Sequence, residues 1–166
     1  MPATHTITEP RRETRAEQPY VAIRRDVTMG EIPTVLPPLH DVLAGWLAAR
    51  GVRASGPPFF RYLVIDMAGL LSIEVGFPVA SPMAGDDGVT SGVLPGGTYV
   101  TTIHHGHPVG LEAATGDLLA WAQAEGIVWD KEPQGRGEAW RSRIEWYLDD
   151  GGDMADWDTE LAFLTR

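Results

Sequence analysis

The chain carries one plan of signals twice, over residues 20–79 and again over 99–165. In each half a short strand opens on Tyr. A helix then carries a Trp four residues from its end and closes on Gly, and two more strands follow. Tyr20-Val21-Ala22-Ile23 is echoed by Tyr99-Val100-Thr101-Thr102-Ile103, and Leu43–Val52 by Leu118–Ile127, with Trp46 matching Trp121. Ile73-Glu74-Val75-Gly76-Phe77 is echoed by Thr159-Glu160-Leu161-Ala162-Phe163. Two copies of a small unit are expected to pack about a pseudo-twofold axis. The seam between them is concave, and small-molecule sites favour such places. Function is therefore sought where the copies differ along the seam.

At 166 residues the chain is expected to form one domain, and 43% hydrophobic content with six Trp suffices for a packed core. The formal net charge is −10, which argues against a nucleic-acid binder, since that needs a basic footprint. The acidity suits cationic ligands, and it also serves plain solubility. Cysteine is absent, which excludes disulfides and thiol chemistry. No apolar run approaches the ~18 residues of a membrane span. Arg11, Arg12, Glu13, Arg15 and Glu17 stand where a signal peptide would be apolar. A cytoplasmic protein with no membrane partner is expected.

Residues 1–17 read as a flexible arm. The first repeat (18–80) opens with a strand from Gln18 to Asp26. The apolar spacing Ile32, Val35, Leu36, Leu39, Val42, Leu43, Trp46, Leu47 then marks a helix. Pro37 and Pro38 place its start, Gly51 caps it, and any helical turn before it is separate. Phe59–Asp66 and Leu70–Val79 are strands joined by a tight link. Residues 81–97 form a linker rich in Gly, Pro and Asp. The second repeat (98–166) has a strand at Thr98–His105, a helix closed by Gly126, a loop at 131–137, and strands at Arg141–Leu148 and Thr159–Thr165. The expected fold is α+β: tandem strand-helix-strand-strand repeats in one antiparallel sheet, with two helices on one face and a ligand groove on the other.

Period-two alternation divides each strand between faces. It points Ile73, Val75, Phe77, Thr159, Leu161, Phe163, Ile144, Trp146 and Leu148 at the helices. Glu74, Glu160, Arg143, Glu145, Tyr147, Phe60 and Tyr62 are left for the groove. Matching the repeats places Tyr62 opposite Glu145 and Phe60 opposite Arg143.

Glu145 is the leading candidate for chemistry, because a glutamate in mid-strand among aromatics runs against strand propensity. In an apolar groove its pKa would rise, and it would hold a cation or act as a general base. The alternative is a solvated charge paired with Arg143 on an open face. Phe60, Tyr62 and Tyr147, with Tyr20 and Tyr99 as further members, either line a pocket with cation–π capacity or simply cover a sheet. His104, His105 and His107 lack zinc spacing and read as loop or capping residues. Gly92–Gly97 lacks the Lys-Ser/Thr of a phosphate loop. No metal or cofactor is expected.

These pieces together resemble the GyrI-like domain, also called the AraC-type effector-binding or multidrug-binding domain. The resemblance covers roughly residues 18–166. It rests on Gly97-Thr98-Tyr99-Val100, His105-Gly106-His107, Leu119-Ala120-Trp121, Glu145-Trp146-Tyr147, Thr159-Glu160-Leu161 and Ile73–Val79, in that doubled plan. It implies a groove for lipophilic, often cationic small molecules, with the family's characteristic glutamate at Glu145. It also implies a free-standing member, because no helix-turn-helix or basic region stands ahead of Tyr20. Two alternatives come with it. One is hydrolysis of cyclopropanoid DNA-alkylating compounds through Glu145. The other is a protein-interaction module such as a gyrase inhibitor, with a protein partner or a homodimer.

Overall fold

A computed structural model describes residues 6–149 and 151–166. Residues 1–5 of the expected arm lie outside it. The first half runs β1 (Thr6–Ile7), β2 (Arg11–Arg15), β3 (Gln18–Val27), α1 (Ile32–Val35), α2 (Pro37–Ala49), β4 (Phe59–Ile65), β5 (Leu71–Pro78) and β6 (Thr90–Leu94). The second runs β7 (Gly97–His105), α3 (Leu111–Ala124), β8 (Lys131–Gln134), β9 (Gly137–Trp140), β10 (Arg143–Tyr147) and β11 (Asp158–Leu164).

The helices end where local chemistry dictates. Prolines occupy the first turn of α2, where a missing N–H costs nothing. Gly51 (φ 67°) and Gly126 (φ 71°) take the left-handed turn just beyond α2 and α3. Among the described residues no helix is long and apolar enough to cross a membrane.

Among the described residues eleven strands join one antiparallel sheet, eight of them in the order β1-β7-β11-β10-β4-β5-β3-β6, with β2, β8 and β9 off that path. The halves meet where β10 pairs with β4. Outward from that seam each half places its second strand, then its third, then its first. The six expected strands sit inside a larger sheet. Residues 11–15, read as arm, pair with β7 as an edge strand, and residues 90–94, read as linker, pair with β3. Residues 131–140 form the β8–β9 hairpin on β4 instead of a loop, turned through Gly135 at φ 57°.

Besides the two expected helices, α2 and α3, there is the single turn α1, and α2 and α3 cover the same face. The largest cluster joins Leu36, just ahead of α2, and Leu111, Ala114 and Leu118 of α3 to Ile73, Val75, Leu161 and Phe163. A second cluster packs Leu43, Trp46 and Leu47 of α2 onto Val21 and Ile23. Each fully buried aliphatic side chain contributes about 1.5–3 kcal/mol. Trp46 is buried, while its repeat mate Trp121 is half-buried against the main cluster. The opposite face has its own smaller cluster, with Tyr20, Ala22, Phe59, Leu94 and Ile144 under Trp146.

Candidate functional site

The seven residues expected in one groove divide between the two faces. Cross-strand partners share a face, and Glu145 stands opposite Phe60 on one side and Leu161 on the other. Phe60 in turn stands opposite Val75. Glu145, Arg143, Tyr147, Phe60 and Tyr62 therefore lie on the helix-covered face with Ile73, Val75, Leu161 and Phe163. Ile144 and Trp146, expected beneath the helices, lie on the other face, with Glu74 and Glu160. Alternation had separated the two sides of each strand correctly but joined them wrongly from strand to strand. The register also differs from the repeat match. Phe60, not Tyr62, is opposite Glu145, and Tyr62 falls beside Arg143. A bulge between Tyr62 and Val64 shifts the β4–β5 register there, and such bulges re-aim side chains.

Tyr62 still reaches Glu145. Its phenol donates to Glu145 Oε1 at 3.0 Å, and the Tyr147 phenol donates to the same oxygen at 2.6 Å. No donor reaches Oε2 among the described residues. Glu145 is 8% exposed. Burial raises its pKa, while the two phenols and Arg143 pull it back down. Burial and the neighbouring carboxylate push both phenols well above their ordinary range, so both remain donors.

Arg143 sits two residues away on the same strand face. Its guanidinium lies 4.7 Å from the Phe163 ring centre, 4.8 Å from Trp140 and 5.8 Å from Tyr62. Burial lowers its pKa. It makes no ion pair within 4 Å among the described residues, so the expected Arg143–Glu145 pair on an open face is replaced by a separated pair among aromatics.

The sequence reading passed over His40. Its ring stacks on Phe60 at 5.2 Å and meets Tyr147 edge-on at 6.1 Å. Nε2 lies 3.1 Å from the Phe59 carbonyl oxygen, to which its N–H donates, and burial lowers its pKa. A signal was available: His40 falls four residues after Leu36 and three before Leu43, a polar residue in an apolar stripe.

On the opposite face Glu74 is ion-paired. Its Oε1 accepts from the Tyr20 phenol at 2.7 Å and from Arg61 at 3.1 Å, while Arg61 also donates to the Arg141 carbonyl at 2.6 Å. A Cβ on Gly92 would fall 2.8 Å from the Tyr20 hydroxyl, so glycine there lets the ring lie across β6. Tyr99 is likewise buried and bonded to Ser142 Oγ and the Pro95 carbonyl. Neither Tyr20 nor Tyr99 joins the Glu145 set. Glu160 pairs with Arg15 at 2.8 Å and borders a surface cleft of about 280 Å³ that includes Gln18, Pro57, Pro78 and Trp146. His107 caps the turn before α3 by accepting from Val109 N–H, and His105 bonds Asp158.

A family model described as "GyrI-like small molecule binding domain" matches residues 8–161. No curated protein sequence matches the chain. Among solved structures the EcmrR C-terminal domain superposes with a TM-score of 0.72 at 20% identity, over 95% of this chain and 97% of that one. EcmrR in a DNA complex superposes at 0.73 and 20% identity, and there the match spans 95% of this chain but only 57% of the neighbour. SAV2435 bound to tetraphenylphosphonium gives 0.62 at 11% identity, over 96% and 94% of the two chains. A structure described as a hydrolase from Listeria innocua gives 0.60 at 15%, over 95% and 92%.

Proposed function

The chain belongs to the GyrI-like small molecule binding domain family, and from that premise we propose that it takes up lipophilic aromatic molecules at Glu145, on the helix-covered face where the halves meet. The matching strand order on either side of the β10–β4 seam supports a pseudo-twofold relation between the repeats, with the site near its axis. α2 lies over β5 and β3, and α3 over β7, so the seam strands run between the helices.

The observation that carries the reading is the arrangement around Glu145. It is a buried carboxylate with two phenols on one oxygen, the other oxygen unclaimed, His40 stacked on Phe60, and Tyr147 edge-on to both. Aromatic walls bind planar apolar surface, and a single polar group fixes orientation. The tetraphenylphosphonium held by SAV2435 is both aromatic and cationic. The walls described here provide for the aromatic part. The test is a titration with the neutral aromatic dye Nile red. Saturable one-to-one binding is expected, weakened about tenfold or more by Tyr147→Ala, since a lost aromatic contact of 1.4 kcal/mol is a factor of ten. Equal affinity in a folded Tyr147→Ala variant overturns the reading.

A second reading rests on the raised pKa of Glu145 and on the neighbour described as a hydrolase. A carboxylate poised nearer neutrality takes a proton from an attacking water. Incubation with excess cyclopropane-bearing alkylator then yields many product molecules per protein, and none with Glu145→Gln. Product that stops at one per protein molecule removes the enzymatic reading and leaves the binding one.

A further inference from the structure

We propose that Arg143 sets the charge class of the ligand: the site selects a neutral aromatic molecule whose polar group both accepts and donates hydrogen bonds, such as an amide, and discriminates against permanent cations. This rests on the reading of the Glu145 face as the ligand site.

The argument begins with groups that lack partners. The guanidinium of Arg143 offers five N–H donors, and none meets an acceptor among the described residues. Its nitrogens are not sealed from solvent. The same holds for Oε2 of Glu145. The two residues are neighbours on one strand face, with Cα atoms about 7 Å apart at the usual rise. One free acceptor and one free set of donors thus stand side by side within a wall of Phe60, Tyr62, Tyr147, Trp140 and Phe163.

Charge then decides the class. A cation gains from a buried carboxylate only where the carboxylate is uncompensated. Here an ionised Glu145 and Arg143 sum to zero, and a protonated Glu145 leaves a net positive centre. Glu138, the other carboxylate facing Arg143, is itself bridged by Lys131. Arg143 also already fills an aromatic cage of the kind that attracts cations, between Trp140 and Phe163. A neutral group that accepts from Arg143 and donates to Oε2 satisfies both without adding charge. An amide of planar shape has that pattern.

Three probes of one skeleton test this by calorimetry: 2-naphthamide, 2-naphthylmethylammonium and 2-naphthoate. The wild type is expected to bind the amide about tenfold more tightly than the ammonium. Arg143→Met leaves Glu145 uncompensated and moves the preference to the ammonium. Glu145→Gln leaves Arg143 uncompensated and moves it to the naphthoate. Arg143→Lys keeps the charge and keeps the wild-type discrimination against the ammonium, which guards against a packing effect in the Met variant. The inference is overturned if the ammonium binds best to wild type, or if Arg143→Met leaves the order unchanged. If no probe responds to either residue, the placement of the ligand site fails with it.

Discussion

Glu74 and Glu145 lie in neighbouring parts of one sheet and are almost equally buried, at 7% and 8% exposure, yet their surroundings differ in kind. Glu74 faces away from the helices and spends its Oε1 on an arginine and a phenol. Glu145 faces the helices, receives only phenols, and keeps its cation two residues away. Burial alone therefore does not tell the two apart. What sets Glu145 apart is a charge whose compensation is left incomplete. Glu74 is a fastening between β3, β4 and β5, and Glu145 is a buried charge with no cation beside it.

The largest expected effect lies on the fastened side. Glu74→Ala strands Arg61 as a half-buried charge and is expected to cost roughly 3 kcal/mol, as for other broken buried pairs, read as a lower urea midpoint at unchanged slope. A loss below about 0.5 kcal/mol would mean that Glu74 is no more committed than a surface charge. On the other face Tyr147→Phe removes one of two donors to Oε1 and costs about 1 kcal/mol by the same measurement, leaving Glu145 still harder to ionise.

The smallest effect is a slope. The folded-state pKa of Glu145 is raised by burial, so the folded protein binds more protons than the unfolded chain above the ordinary carboxylate range. Its contribution is fully present below the unfolded pKa and is lost as pH rises through the folded value. Glu145→Gln keeps a carbonyl acceptor for both phenols and carries no charge. It is expected to lie within about 1 kcal/mol of wild type at low pH and to gain on it as pH rises. A wild type that gains on the variant as pH rises would show that Glu145 is compensated after all, as Glu74 is.

Much of this fold was legible in the residues. Pro37, Gly51 and Gly126 placed helix ends, and the repeated order of signals foretold six strands of the sheet. The faces were not legible, because Arg143-Ile144-Glu145-Trp146-Tyr147 has apolar residues on both sides. Alternation tells which residues go together along that strand but not which side a helix will cover. The β4–β10 register was not legible, since matching repeat positions does not fix which residues stand opposite across the seam, and the β4–β5 bulge after Tyr62 has no signature in composition either. The choice of Glu145 as the leading candidate came from propensity and resemblance, and the setting that makes it distinctive, a separated Arg143, came only with the packing. The β8–β9 hairpin was missed although Gly135 and Gly137 flag a tight turn.

The outer strands of the sheet have a consequence for how copies of this chain meet in solution. One rim is β2, Arg-Arg-Glu-Thr-Arg, with Glu13 and Arg15 paired across it, and β8 carries Lys131 and Pro133. Charge and proline make poor templates for a further strand. β7, just inside β2, is mostly buried and reads Gly-Thr-Tyr-Val-Thr-Thr-Ile-His-His. A chain shortened to begin at Gln18 would bare the backbone edge of that buried strand. β1 and β2 thus do what a selvedge does for cloth: they finish the margin so that one sheet does not knit itself to the next.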